Sequence, residues 1–152
     1  MRLPVATAKL IERRSDEQDA FALANEVRGL INQRAEYWLE MQTTNATPAV
    51  IWTDELPANS VVKLTAHVVA VNADATEAAG YERVATFRRP GTGAAVQVGT
   101  TSAAVTDENI AGWNVTCQAS ATAGFIEVSV TGEPAETIFW RANVIVLVLP
   151  WQ

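Results

Sequence analysis

The sequence predicts a mainly β protein: an N-terminal extended arm and long α-helix, followed by an antiparallel β-sandwich or jelly roll of about seven to eight strands. Two observations predict this class. The hydrophobic period changes near residue 45, from helical spacing before it to strand alternation after it. Polar turns then separate short alternating segments as far as the C-terminus. The predicted organisation is a basic arm over residues 1–14, an amphipathic helix over 15–43 and a β domain over 48–152.

The composition limits the classes of function. The chain has 152 residues, of which 49% are apolar and 18% charged, as expected for one folded domain with an appendage. Its net charge of −6 argues against nucleic-acid binding, which needs a basic surface. Cys117 is the single cysteine, so no internal disulfide can form. No signal peptide or run of 18 apolar residues is evident, which predicts assembly in a reducing cytoplasm with no membrane contact.

The N-terminal arm is basic although the chain is acidic. Residues 1–14 have a net charge of +3, which leaves −9 for the remainder. The basic residues of this arm are Arg2, Lys9, Arg13 and Arg14. We expect them to dock on an acidic partner surface, the alternative being a solvated N-terminus.

The predicted helix has a clear start and stop. Ser15 and Gln18 match a capping box, in which each side chain hydrogen-bonds the other residue's backbone amide. The helix should run to about residue 42, a length of about 40 Å at 1.5 Å per residue. It should end before Pro48, because β-branched residues and proline favour extended chain.

One face of this helix approaches a heptad seam and is a candidate oligomer interface. Its members recur at spacings of four and three: Ala20, Ala24, Val27, Ile31, Arg34, Trp38 and Met41. Since a long helix needs a partner to bury such a face, we predict a coiled coil that forms a homotrimer. The alternative is packing on the chain's own β domain or on another protein.

Seven segments alternate in the β domain. The first starts at Ala49, and the last runs from Ile138 to Leu149. The last segment is apolar on both faces, with Ile145, Leu147 and Leu149 opposite the core-facing side. This pattern predicts that one sheet face meets a neighbouring molecule as well as the core.

The search for catalytic chemistry yields no candidate residues. His67 is the only histidine, so a histidine triad or a multi-histidine metal site lacks partners within the chain. Carboxylates that are close in sequence, such as Asp54 with Glu55 or Glu133 with Glu136, lie in or beside turns rather than within strands. The sequence therefore predicts no catalytic residue, no cofactor, no metal site and no enzymatic activity.

A family resemblance adds to this interpretation. The stretches that carry it include Thr43–Pro48, the strand Val61–Val71, Tyr81–Phe87, the passage from Asp107 to Val115, and Val128–Gly132 leading to Ile138–Trp140. Together they resemble a β module of tailed-bacteriophage structural proteins that recurs in tail fibres and virion-surface proteins. The resemblance covers about residues 43–149 and brings no catalytic signature.

The resemblance implies a non-enzymatic virion structural protein on the particle surface. Because little precedes the helix, the sequence favours a capsid decoration protein or short head fibre that docks on capsid or tail proteins through its arm and helix. The alternative is a tail-fibre or tail-tip adhesin that binds host-surface carbohydrate. A carbohydrate-active enzyme is disfavoured at this stage, because no acid pair lies in any predicted strand.

Overall fold

Two antiparallel sheets make up the part of the chain that the computed structural model describes, residues 34–150. The eight strands are β1 (Arg34–Thr43), β2 (Ala49–Glu55), β3 (Ser60–Asn72), β4 (Ala78–Arg89), β5 (Val96–Glu108), β6 (Asn114–Ala119), β7 (Phe125–Thr131) and β8 (Ile138–Pro150). One sheet has five strands in the order β1-β8-β3-β4-β5, and the other has three in the order β2-β7-β6. No helix long and apolar enough to cross a membrane occurs among these residues.

The core lies between the two sheets. Strand β3 shows how alternation builds it, because every second residue from Val62 to Ala70 is buried while Lys63, His67 and Val69 are exposed. The three-stranded sheet contributes inward-facing Val115, Cys117 and the alternating apolar residues of β7. The predicted core-facing side of the last segment is confirmed in β8, where Val144 and Val146 are buried.

The predicted helix is wrong where the structure can be compared with it. Residues 34–43 form strand β1, and no helix occurs among the described residues, so the fold class there is all β. The β1 residues alternate between exposed and partly buried, which puts Trp38 and Met41 on opposite faces rather than on one seam. The segment pairs with β8, and sheet hydrogen bonds outweigh a helical pattern that only Arg34, Trp38 and Met41 carry here. The predicted helix start and the remaining seam residues lie outside the described range.

The terminal strand leaves its second apolar face uncovered. Leu147 and Leu149 are 52% and 67% exposed, whereas Val144 and Val146 on the opposite face are buried. The face that carries these leucines is the outer side of the five-stranded sheet, termed the outer face below. It is the surface on which the candidate site lies.

Candidate functional site

Strand β1 is held against the core by its inward side chains. Tyr37 packs on Trp52 with ring centroids 5.5 Å apart, and its hydroxyl donates to Oδ2 of Asp54 at 3.1 Å. Burial, followed by this contact with Asp54, raises the pKa of Tyr37, so it remains a neutral donor. At the end of the strand, buried Trp140 donates from Nε1 to the Thr43 hydroxyl at 2.9 Å.

This anchoring aims the alternate β1 side chains at solvent. Trp38, Glu40 and Gln42 are all exposed, with Trp38 exposed to 71%. On the neighbouring strand β8, Phe139 and Arg141 are exposed on the same outer face. Two apolar side chains of β3 complete the group, because Val71 lies opposite Phe139 and Val69 opposite Arg141 in the sheet register.

An ion pair crosses from β1 to β8 in the middle of this group. Arg141 donates to Oε1 of Glu40 from Nε at 2.9 Å and from Nη2 at 2.5 Å. Both side chains are well exposed, at 65% and 69%, so the pair contributes little to stability. It does fix two charged groups between two exposed aromatic side chains.

Two open hollows share this ion pair. The first, of about 550 Å³, is lined by Glu40, Met41, Gln42, Val69, Ala70, Val71, Phe139, Trp140 and Arg141. The second, of about 530 Å³, is lined by Trp38, Leu39, Glu40 and Arg141. Both volumes are in the range of small-molecule sites, and apolar walls with a few fixed polar groups are typical of them. We call the pair of hollows the aromatic site.

The outer face continues beyond the aromatic site with polar pairs. Asn143 donates to Oε1 of Glu36 at 2.8 Å. His67, the only histidine, is exposed with Nδ1 3.8 Å from a carboxylate oxygen of Glu82.

A second polar cluster lies in the loops at one end of the sheets. Glu77, Glu133 and Glu136 each offer a carboxylate oxygen within 4.8 Å of the others, which is a spacing that a hard cation accepts. Burial and then the neighbouring Glu136 raise the pKa of Glu77. The Asn72 amide donates to Glu136 at 2.9 Å and to Glu77 at 3.4 Å. These hydrogen bonds account for the arrangement without an ion, and the absence of a metal site stays a prediction.

Only some of the predicted site residues lie in the part of the chain that the structure describes. Arg34 and Trp38 are exposed on β1, and Met41 is partly buried on its other side. The other interface residues, Ala20, Ala24, Val27 and Ile31, lie outside the described range. So do Arg2, Lys9, Arg13 and Arg14, whose role in particle docking remains untested.

Sequence reasoning missed the aromatic site because it placed half of it in a helix. The alternation of Tyr37, Leu39 and Met41 with polar neighbours was the available signal for a strand. On β8, the sequence analysis placed Ile145, Leu147 and Leu149 on the face opposite the core, and Phe139 and Arg141 follow the same alternation. The sequence did not reveal that β1 lies beside β8 in the sheet.

The comparisons with known proteins give distant structural likenesses. No protein-family model and no curated protein matches the chain. The tailspike protein of Acinetobacter baumannii phage AM24 aligns over 78% of this chain and 27% of its own, with 6% identity and a TM-score of 0.46. The tailspike gp49 of Acinetobacter baumannii bacteriophage Fri1, described as a capsular polysaccharide depolymerase, aligns over 78% and 20%, with 14% identity and a TM-score of 0.37.

A third likeness is to another kind of appendage. The disulfide-linked pili of Bacillus endospores align over 76% of this chain and 88% of their own, with 13% identity and a TM-score of 0.28. The chain spans 27% of the length of the first tailspike and 20% of the second. None of the three is described as a capsid decoration protein. With every TM-score below 0.5, the likenesses do not show a shared function.

The prediction that the chain is not an enzyme is corrected here. One of the similar structures is described as a depolymerase, which contradicts the exclusion. Glu40, which the sequence analysis had assigned to a helix, lies exposed on strand β1 in the lining of both hollows. Enzymatic activity is therefore no longer excluded.

Proposed function

We propose that this chain is a tail-associated β module of a bacteriophage virion that binds host-surface carbohydrate through the aromatic site. The observation that carries the proposal is the exposure of Trp38 and Phe139 on either side of the Glu40–Arg141 pair. Aromatic rings offer an apolar surface to the C–H face of a sugar ring, and a carboxylate and a guanidinium bond its hydroxyls. The sequence resemblance over residues 43–149 supports the assignment to a virion.

The location of the site favours the adhesin over capsid decoration. Carbohydrate recognition by single modules uses shallow, solvent-facing surfaces, because polysaccharide chains must pass across them. Both hollows open on the outer face, and neither is enclosed by the second sheet. A decoration role would require no such aromatic surface.

Binding of purified chain to surface polysaccharide from candidate host strains tests the proposal. We expect Trp38→Ala and Phe139→Ala each to weaken binding about five- to tenfold, because an aromatic contact is worth about 1 kcal/mol. Val98→Ala is the matched control, since it removes an exposed apolar side chain from the same outer face on strand β5, away from the two hollows. All three variants should keep wild-type stability, because they are at the surface.

Two results would refute this function. Equal loss of binding in Val98→Ala would show that the outer face as a whole, rather than the aromatic site, carries the binding. Retention of full binding in both aromatic variants would remove the aromatic site from recognition. Release of reducing ends should be measured in the same samples, since it separates binding alone from cleavage.

We also propose that the chain assembles as a homotrimer, with Leu147 and Leu149 in the contact between copies. Contiguous exposed apolar patches mark interaction surfaces, and Leu147 and Leu149 are neighbouring exposed side chains on one face of β8. Light scattering of the intact chain, of a chain that begins at residue 34 and of Leu147→Ser/Leu149→Ser tests this. A trimer lost only in the serine variant supports contact through the sheet. A trimer lost only on truncation assigns assembly to residues 1–33, and a monomeric intact chain refutes the proposal.

A further inference from the structure

We infer that the aromatic site consists of two sugar subsites in line, one in each hollow, so that it recognises at least two consecutive residues of a glycan chain. This inference rests on the proposed carbohydrate binding and specifies the length of chain that is bound. It follows from the way the Glu40–Arg141 pair divides the site and from the positions of the two exposed aromatic side chains.

Each hollow has its own aromatic side chain. Phe139 lines the first hollow and Trp38 lines the second, and neither lines both. Glu40 and Arg141 are the residues that the two linings share, so the ion pair lies between the hollows. A sugar ring that packs on Trp38 and a sugar ring that packs on Phe139 therefore occupy separate hollows.

Strands β1 and β8 run in opposite directions where they carry the site. Asn143 of β8 donates to Glu36 of β1. Arg141 lies two residues earlier on β8, and its partner Glu40 lies four residues later on β1. As one strand advances the other recedes, so the pair is antiparallel.

This direction places the two aromatic side chains on opposite sides of the ion pair. Trp38 lies two residues before Glu40 on β1. Phe139 likewise lies two residues before Arg141 on β8. Because the strands are antiparallel, the two levels differ by about four residues of strand, or about 13 Å at 3.3 Å per residue. A single pyranose ring is too short to contact both aromatic rings, whereas two or more linked sugar rings can.

The ion pair offers polar contacts at the boundary between the two hollows. Arg141 directs both Nε and Nη2 to Oε1 of Glu40. Among the described residues, Oε2 of Glu40 and Nη1 of Arg141 make no hydrogen bond, so an acceptor and a donor remain there. A hydroxyl of either sugar can use them, because a hydroxyl both donates and accepts.

Two contacts made by one chain give a specific dependence on length. One aromatic contact changes the dissociation constant about fivefold, and a second contact within the same bound chain adds to the first. A fragment that reaches both hollows should therefore bind at least about fivefold more tightly than a single sugar residue. The single residue has a choice of two hollows, so two variants that each disable one hollow cannot both weaken its binding by more than about twofold.

The test uses a size series of fragments, from a single sugar residue upward, prepared by partial hydrolysis of the host polysaccharide that wild type binds. Each fragment is titrated into the intact protein. Wild-type affinity should rise about fivefold or more between one residue and the first fragment that reaches both hollows, and little beyond it. Trp38→Ala and Phe139→Ala should each remove this rise.

Val98→Ala is again the matched control, because Val98 is exposed on the same outer face outside both hollows. It should keep the rise seen in wild type, and loss of the rise in this variant would overturn the inference. So would equal affinity of wild type for one residue and for longer fragments. A single residue whose binding both aromatic variants weaken about fivefold would mean that both rings contact one sugar, which also overturns it.

Failure of the inference is distinguishable from failure of the proposed function. Absence of polysaccharide binding by wild type would overturn both together. Binding that depends on Trp38 and Phe139 but not on fragment length would overturn the two subsites alone.

Discussion

Arg89 links both sheets through one buried guanidinium, and its replacement should be among the most damaging single changes in the chain. Arg89 is 7% exposed at the end of β4. It donates to the Leu56 carbonyl at 2.5 Å, the Gly93 carbonyl at 2.9 Å and the Thr92 carbonyl at 3.1 Å. Its fourth partner is Glu55, 2.7 Å away. These contacts tie the segment after β2 to the turn between β4 and β5.

The expected cost of Arg89→Met follows from what the substitution leaves behind. Methionine fills most of the volume but donates nothing, so the carbonyls lose their charged donor. Removing one member of a buried ionic group costs about 3–5 kcal/mol. We expect the lower end, about 3 kcal/mol, because the Glu55 side chain is 54% exposed and regains water. At about 4 °C per kcal/mol for a domain of this size, Tm should fall by about 12 °C.

The assay is denaturant unfolding followed by tryptophan fluorescence, since Trp113 and Trp140 are buried and close together. Arg88→Met is the matched control, because Arg88 is the exposed neighbour on the same strand. It should change the free energy of unfolding by less than about 0.5 kcal/mol. A loss below about 1 kcal/mol in Arg89→Met, or an equal loss in both variants, would refute the reasoning.

Three further predictions concern the core. Gly124→Ala should lower the free energy of unfolding more than Gly91→Ala. Gly124 has φ +82° and its added Cβ would collide with the Arg89 guanidinium, whereas Gly91, at φ +57°, faces open space. Urea unfolding measures both variants, and equal losses of stability would contradict this prediction. Trp140→Phe should lower the free energy of unfolding by about 1 kcal/mol more than Trp113→Phe does. The reason is that the Trp140 ring N–H donates to the Thr43 hydroxyl, while the Trp113 ring N–H has no acceptor among the described residues. A larger loss of stability in Trp113→Phe in the same assay would disprove this. Burial raises the pKa of Cys117 to about 12, so its neutral thiol contributes stability fully below pH 9.0 and progressively less as pH rises toward 12. Native protein at pH 8 should therefore resist thiol alkylation until it is unfolded, and rapid labelling of folded protein would show that Cys117 is accessible.

Some features were predictable because they depend on neighbours along the chain. Strand alternation is such a feature, and it located the start of β2 and the bounds of β3 and β8 to within a few residues.

Residues 34–43 show where local pattern stops being decisive. Arg34, Trp38 and Met41 have helical spacing, while Tyr37, Leu39 and Met41 alternate as in a strand, so both periods are present in one segment. Pairing with β8 selected the strand, and that partner is about 100 residues away in sequence. No local propensity contains that information.

The sequence by itself determined that most of the chain forms an alternating β structure, that its last strand is apolar on both faces and that it has one cysteine and one histidine. Only the tertiary structure decided that β1 exists and that the strand order is β1-β8-β3. The aromatic site depends on this order, because Trp38, Phe139 and Val69 belong to three strands that are distant in sequence. Strand order is set by which apolar faces and hydrogen-bonding edges fit together in space, and alternation along one strand does not encode its neighbour.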